Sequence, residues 1–151
     1  MLKLIRKFKD LSSNEKKLFI EAWLTLGLMR GAILTLPFKR LTRSLEQHQN
    51  DAEITPLSRD KSHLAITTGK IISQAANNTP WESTCLVQSF TAQRMLKKRN
   101  IPGVFYLGVR KDETAREKMS AHAWSRCGDT IITGDKGRED FTVISAFSWG
   151  R

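Results

Sequence analysis

The spacing of apolar residues changes once along this chain, and that change constrains the fold most. Up to Lys98 apolar side chains recur at steps of three and four. From Val104 onward they fall in short β-branched and aromatic runs. Pro102-Gly103 sits at the switch, and neither residue propagates a helix well. Helices first and strands afterwards predict an α+β fold with a small antiparallel sheet. A chain of 151 residues suits one domain, with or without a small appendage, and can bury a core without disulfides or metal.

The chain reads in two parts. Residues 1–60 form an N-terminal helical region and linker, and residues 61–151 form the core. In the first part Ser12-Ser13-Asn14-Glu15 matches a capping box. Leu18, Phe19, Ala22, Trp23, Leu26, Met29 and Ile33 then fall on one helical stripe. Pro37 ends or kinks that helix. Lys39, Arg40 and Arg43 form a basic segment, and residues 47–60 read as a polar linker or long loop. Residues 18–36 are the most apolar stretch, but Glu21 and Arg30 interrupt it. A spanning helix needs about 20 residues almost free of charge. This helix is therefore expected to pack on protein, or to lie on a membrane, rather than to cross one.

The second part predicts a helix over 63–76, a turn at Asn77-Asn78-Thr79-Pro80, and a helix from near Ser83 to Lys98. A strand follows over 104–109, then a charged loop over 111–118. Short strands over 121–126 and 130–133 join at Cys127-Gly128-Asp129, and a last strand covers 141–146.

Charge and cysteine usage narrow the class. There are 25 Lys and Arg against 15 Asp and Glu, for a net charge of +10. Such a balance favours an acidic partner, or merely a solvated surface. No basic run carries enough interleaved aromatics to form a nucleic-acid platform. The two cysteines, Cys85 and Cys127, make no CxxC pair and no zinc-ligand pattern, so no metal and no cofactor is expected. With no secretory signal in view, the chain reads as cytoplasmic, where thiols stay reduced.

One cysteine is placed for chemistry. Cys85 falls in the first turn of the predicted 83–98 helix. A thiol there meets unpaired amides and the positive end of the helix dipole, which favour the nucleophilic thiolate. A lone cysteine is more often a small buried hydrophobe, and Cys127, in a turn, fits that description as a bystander. His122, in Ser120-Ala121-His122-Ala123-Trp124, shares a strand face with Ser120 and Trp124. If 121–126 and 130–133 pair about Gly128, residue 122 comes opposite residues near 134. Asp135 then lies beside His122, suited to accept from one imidazole nitrogen and leave the other to take the thiol proton. Asp129 is the rival but lies at the turn. Each residue alone also has a purely structural reading: a satisfied histidine, a loop aspartate. Trp81 and Gln88, near Cys85, are candidates to support an oxyanion, by donating or by packing, and Trp81 fits equally well as core. The backbone N–H of Cys85 is expected to be one donor.

Cysteine at a helix start, histidine on a strand, then aspartate on the next strand is the order of transglutaminase-like (papain-like) cysteine enzymes, which this chain resembles. The resemblance is closer to one branch, the leader peptidases of lasso-peptide maturation. These are the microcin-type B proteins, in the split form that carries the protease alone. It rests on Pro80-Trp81-Glu82-Ser83-Thr84-Cys85-Leu86-Val87-Gln88-Ser89, on Arg99-Asn100-Ile101-Pro102 leading to Leu107-Gly108-Val109-Arg110-Lys111, and on Ala121-His122-Ala123-Trp124. The helix ending in Leu36-Pro37-Phe38 is also similar. The resemblance implies a Cys85–His122–Asp135 triad and removal of the leader from a ribosomally made precursor peptide. It further implies a separate leader-binding protein and an ATP-dependent cyclase as partners. Transfer of the acyl group to an amine, or a non-catalytic basic adaptor, are the alternative readings of the same residues.

Overall fold

A computed structural model describes residues 6, 8–49, 52, 54–114 and 119–150. Hydroxyl side chains start its long helices. Ser12 accepts from the Glu15 amide and opens α1 (Ser13–Thr35), which stops at Leu36 because Pro37 cannot continue it. After Pro37 comes one turn of helix, α2 (Phe38–Leu41), and then a short strand, β1 (Glu46–His48). Ser58 caps α3 (Arg59–Ala76), and Thr84 caps α4 (Cys85–Lys98). The expected helix over 63–76 thus begins one turn earlier, at the hydroxyl that satisfies its first amides.

Past Pro102 the strands are β2 (Gly103–Lys111), β3 (Met119–Cys127), β4 (Thr130–Thr133) and β5 (Thr142–Trp149). They form one antiparallel sheet in the order β1-β5-β2-β3-β4. The α+β fold class is as read from the sequence. β2 and β3 run longer than predicted at both ends and β5 at its far end, because backbone pairing continues after the apolar alternation has stopped, whereas β4 keeps its predicted bounds. The expected linker over 47–60 is corrected at its start: Glu46–His48 pairs with Ser148–Ala146. This edge strand has no apolar pattern to announce it, since it is held by backbone pairing and a His48–Ser148 side-chain contact of 3.0 Å. Residues 50, 51 and 53 of that linker, and 115–118 of the expected 111–118 loop, lie outside the described residues.

The sheet packs one face on the helices. Phe105, Ala123, Cys127, Phe147 and Trp149 meet α1, α3 and α4 in one apolar cluster. The Phe38 ring stands edge-on to Phe90, Phe105 and Phe147, with centroids 5.6 to 6.5 Å apart. The opposite face carries a smaller cluster of Val104, Tyr106, Trp124 and Ala146, with Phe141 and Val143 against it.

The predicted stripe on α1 is the side that enters the core. Leu18, Phe19, Ala22, Leu26 and Met29 are buried. This helix is long and apolar enough to cross a membrane, and its Ala22 and Leu26 are fully sealed against the rest of the protein. Three polar links fasten it further. Glu21 pairs with Lys98 and Arg99 at the end of α4. Arg30 faces Glu82 at 3.6 Å, and Trp23 Nε1 donates to the Asn78 carbonyl at 3.3 Å. The last two links grip the loop that precedes Cys85.

Candidate active site

Cys85 is the first residue of α4, and Thr84 is its cap. Thr84 Oγ1 accepts from the Val87 amide at 3.3 Å, while the Thr84 carbonyl receives the Gln88 amide at 2.9 Å. The cap serves the third amide of the helix and leaves the N–H of Cys85 outside the intrahelical ladder. The thiol is half-buried. It opens onto a cleft of about 380 Å³ bounded by α3, α4, β4 and the segment after β4, with Gly69, Cys85, Gln88, His122, Gly134 and Asp135 in its wall. Cys85, His122 and Asp135 therefore share one cleft.

His122 enters from the outer side of the sheet. Its neighbour Ala123 faces the helices, whereas the imidazole stacks near Trp124 and tilts against Phe141, with centroids 5.7 and 5.1 Å away. β4 pairs with β3 only at Ser125–Cys127, so the edge of β3 at His122 is not covered by strand pairing to β4. Across that edge Nε2 lies 2.7 Å from the Gly134 carbonyl oxygen. A carbonyl only accepts, so Nε2 carries the proton and donates, and the neutral ring keeps its lone pair on Nδ1. Among the described residues no hydrogen bond joins Cys85 to His122. Such bonds are often long in enzymes without substrate and tighten when it binds.

Asp135 is in the expected place but makes a different bond. Its carboxylate accepts from Arg138 Nε at 2.9 Å and is 74% exposed. The orienting contact expected from Asp135 is made by the main chain one residue earlier. The reason is local. Gly134 has φ +74°, and a Cβ there would lie 2.3 Å from the Ala123 carbonyl. The glycine lets the chain lie directly on β3 and turns its carbonyl toward the ring.

The two supporting candidates part ways. Gln88 lines the cleft, and its Nε2 donates to the Ser83 carbonyl at 3.0 Å, bracing the loop before Cys85. In the same loop Thr79 Oγ1 contacts Ser83 Oγ at 2.8 Å and donates to the Trp81 carbonyl at 2.9 Å. Trp81 is absent from the cleft wall. Its ring packs edge-on against Trp23 with centroids 4.7 Å apart, and its buried Nε1 has no partner among the described residues. Packing is the role its position supports. Cys127 is buried at the end of β3, and burial pushes its thiol up to about 12.

Sequence reasoning missed a buried chain of hydroxyls behind the cleft. Ser89 Oγ lies 3.2 Å from Thr133 Oγ1, which lies 2.6 Å from Ser125 Oγ. All three residues are almost fully buried. Ser89 is one turn past Cys85, Thr133 directly precedes Gly134, and Ser125 is on the strand of His122. The chain ties the helix of Cys85 to the strand of His122 through β4. Its only advance signal was a serine on the apolar side of α4 and another on the apolar side of β3. The approach is close: a Cβ on Gly69 of α3 would sit 2.5 Å from the Ile132 carbonyl of β4.

A family model described as the Transglutaminase-like superfamily matches residues 32–146, a span that includes every residue of this cleft. The chain belongs to the transglutaminase-like superfamily. That superfamily includes cysteine proteases and acyltransferases and is typically built on a catalytic cysteine. Searches among curated proteins and among solved structures gave no match. Cys85 at the start of α4 and His122 on β3 both lie inside the matched span and both line the cleft. Among the described residues no three His, Cys, Asp or Glu side chains cluster to hold a metal.

Proposed function

We propose that this transglutaminase-like protein is a cysteine peptidase that removes the leader from a ribosomally synthesised precursor during lasso-peptide maturation. The observation that carries the cysteine chemistry is the shared cleft. Cys85 lies at the start of α4, and opposite it His122 has Nε2 occupied by the Gly134 carbonyl, with Nδ1 left as the base. The leader-peptidase assignment rests on the motif resemblance around Cys85 and His122.

In the proposed reaction His122 Nδ1 takes the Cys85 proton as sulfur attacks the scissile carbonyl. The oxyanion is held by main-chain amides at the start of α4. His122 then gives its proton to the leaving amine and a thioester remains. Water, deprotonated by His122, adds to the thioester. The carboxylate leaves and the thiol is regenerated. The proposed partners are the precursor, a separate leader-binding protein and an ATP-dependent cyclase, and the proposed location is the cytoplasm.

The test is mass spectrometry of a candidate precursor incubated with this protein and a leader-binding partner, with wild type and Cys85→Ala side by side. A single cut that disappears in Cys85→Ala is the expected result. Cutting by Cys85→Ala overturns the nucleophile. A product heavier by an amine instead of by water moves the activity to acyl transfer. An uncut but demonstrably bound precursor moves the protein to the adaptor class.

A further inference from the structure

The apolar surface of α1 has a second side that the core does not use. Ile20, Leu24, Leu28 and Leu34 are each at least half exposed. Toward the C-terminal end of α1 this side runs into a groove of about 660 Å³, closed by α2 and by the last turns of α4. Leu28, Leu36 and Phe90 supply apolar wall. Arg40, Arg94, Lys97 and Lys98 stand around it, and among the described residues no acidic side chain lines it. Of these four cations only Lys98 is ion-paired among the described residues, to Glu21.

Arg94 and Lys97 lie nine and twelve residues past Cys85 (94 − 85 and 97 − 85) on one helix. That is about 14 and 18 Å along its axis. The groove is thus separate from the catalytic cleft. An apolar floor gains free energy by being covered, and an unbalanced cationic rim favours a cover that is negatively charged. A bilayer surface meets convex faces and would touch the rim without filling a groove between two helices. An amphipathic polypeptide segment fills it, with its apolar side inward and its carboxylates at the rim. We propose that the groove between α1 and α4 is a docking site for an acidic amphipathic segment of a partner protein. The proposal needs no turnover and does not depend on the peptidase reading.

The test uses the full chain and a fluorescein-labelled amphipathic helical peptide with Leu on one side and Glu on the other, followed by anisotropy. Its counterpart has Lys in place of Glu. The acidic peptide is expected to bind at least about tenfold tighter than the basic one. Arg94→Glu with Lys97→Glu should weaken it by about tenfold or more, and Leu28→Gln by severalfold. Lys16→Glu with Lys17→Glu, about 16 to 18 Å up α1 from Leu28, should change it less than about twofold. Thermal melting checks that each variant is folded. Equal binding of the two peptides overturns the proposal, as does equal weakening by the Lys16/Lys17 pair, which would mean general charge attraction. Binding to phosphatidylglycerol vesicles in place of the acidic peptide, or a dimer that Leu28→Gln dissolves, would assign the surface to a membrane or to a second copy.

Discussion

His122 is held by a main-chain group where a side chain was expected. The carbonyl of Gly134 occupies Nε2, and the carboxylate of Asp135 turns to Arg138. Where a buried aspartate orients the histidine of a triad, changing it to asparagine costs about 10⁴ in turnover. Asp135→Asn is expected to lose less than about tenfold here, because the bond that fixes the ring survives. Turnover of the precursor measures it, and a loss near 10⁴ would return the orienting role to the carboxylate. Residue type alone pointed to Cys85 and His122, which the fold brings to one cleft. It also pointed to Asp135, next to the glycine whose carbonyl meets His122 Nε2. It could not reveal a carbonyl, which every residue has and whose direction depends on backbone dihedrals alone.

Between elements, one polar link crosses behind the cleft and a second fastens α1 to the far end of α4. The Ser89–Thr133–Ser125 chain crosses from α4 through β4 to β3. Thr133→Val keeps the shape but leaves two buried hydroxyls without their partner, at a cost of about 1–3 kcal/mol. Turnover should fall with little change in KM, and Thr133→Ser should restore it, whereas a variant with unchanged kcat would make the chain purely structural. The second link is Glu21 with Arg99. The hydrogen bond from Arg99 is the main cause that lowers the Glu21 pKa below its ordinary 4.5. A lowered folded-state value means stability that is complete above about pH 4.5 and lost as pH falls through the folded value. Glu21→Gln should therefore unfold more easily in urea at neutral pH, and the gap to wild type should close below about pH 4.5. The helices were readable from caps and apolar spacing. β1 was not, because an edge strand paired through its backbone needs no side-chain pattern.

For the whole molecule, the span that marks the family and the span that folds are different. The family match begins at residue 32, near the end of α1. Leu18, Phe19, Leu26 and Met29 all precede it and are buried in the main core. Burying four such side chains is worth on the order of 6–12 kcal/mol, against a total stability of about 5–15 kcal/mol for a domain. A chain shortened to begin at residue 32 is expected to lose its cooperative thermal transition, as circular dichroism would show. A sharp melt close to the full-length one would mean that α1 is dispensable. The apolar stripe on α1 was visible in the sequence. That Trp81, from the loop before the nucleophile, would settle against Trp23 and Gly27 was not, because such a contact depends on how distant segments meet.

The carbonyl at Gly134 has a meaning for how such a site changes over generations. No codon change removes a main-chain oxygen. If Asp135→Asn keeps its turnover, a lineage could lose the acid at 135 and still hold the His122 ring in place. The burden moves to 134, where any side chain would both strain the backbone and strike the Ala123 carbonyl. Selection on the alignment of His122 would then act through the one residue whose side chain is absent.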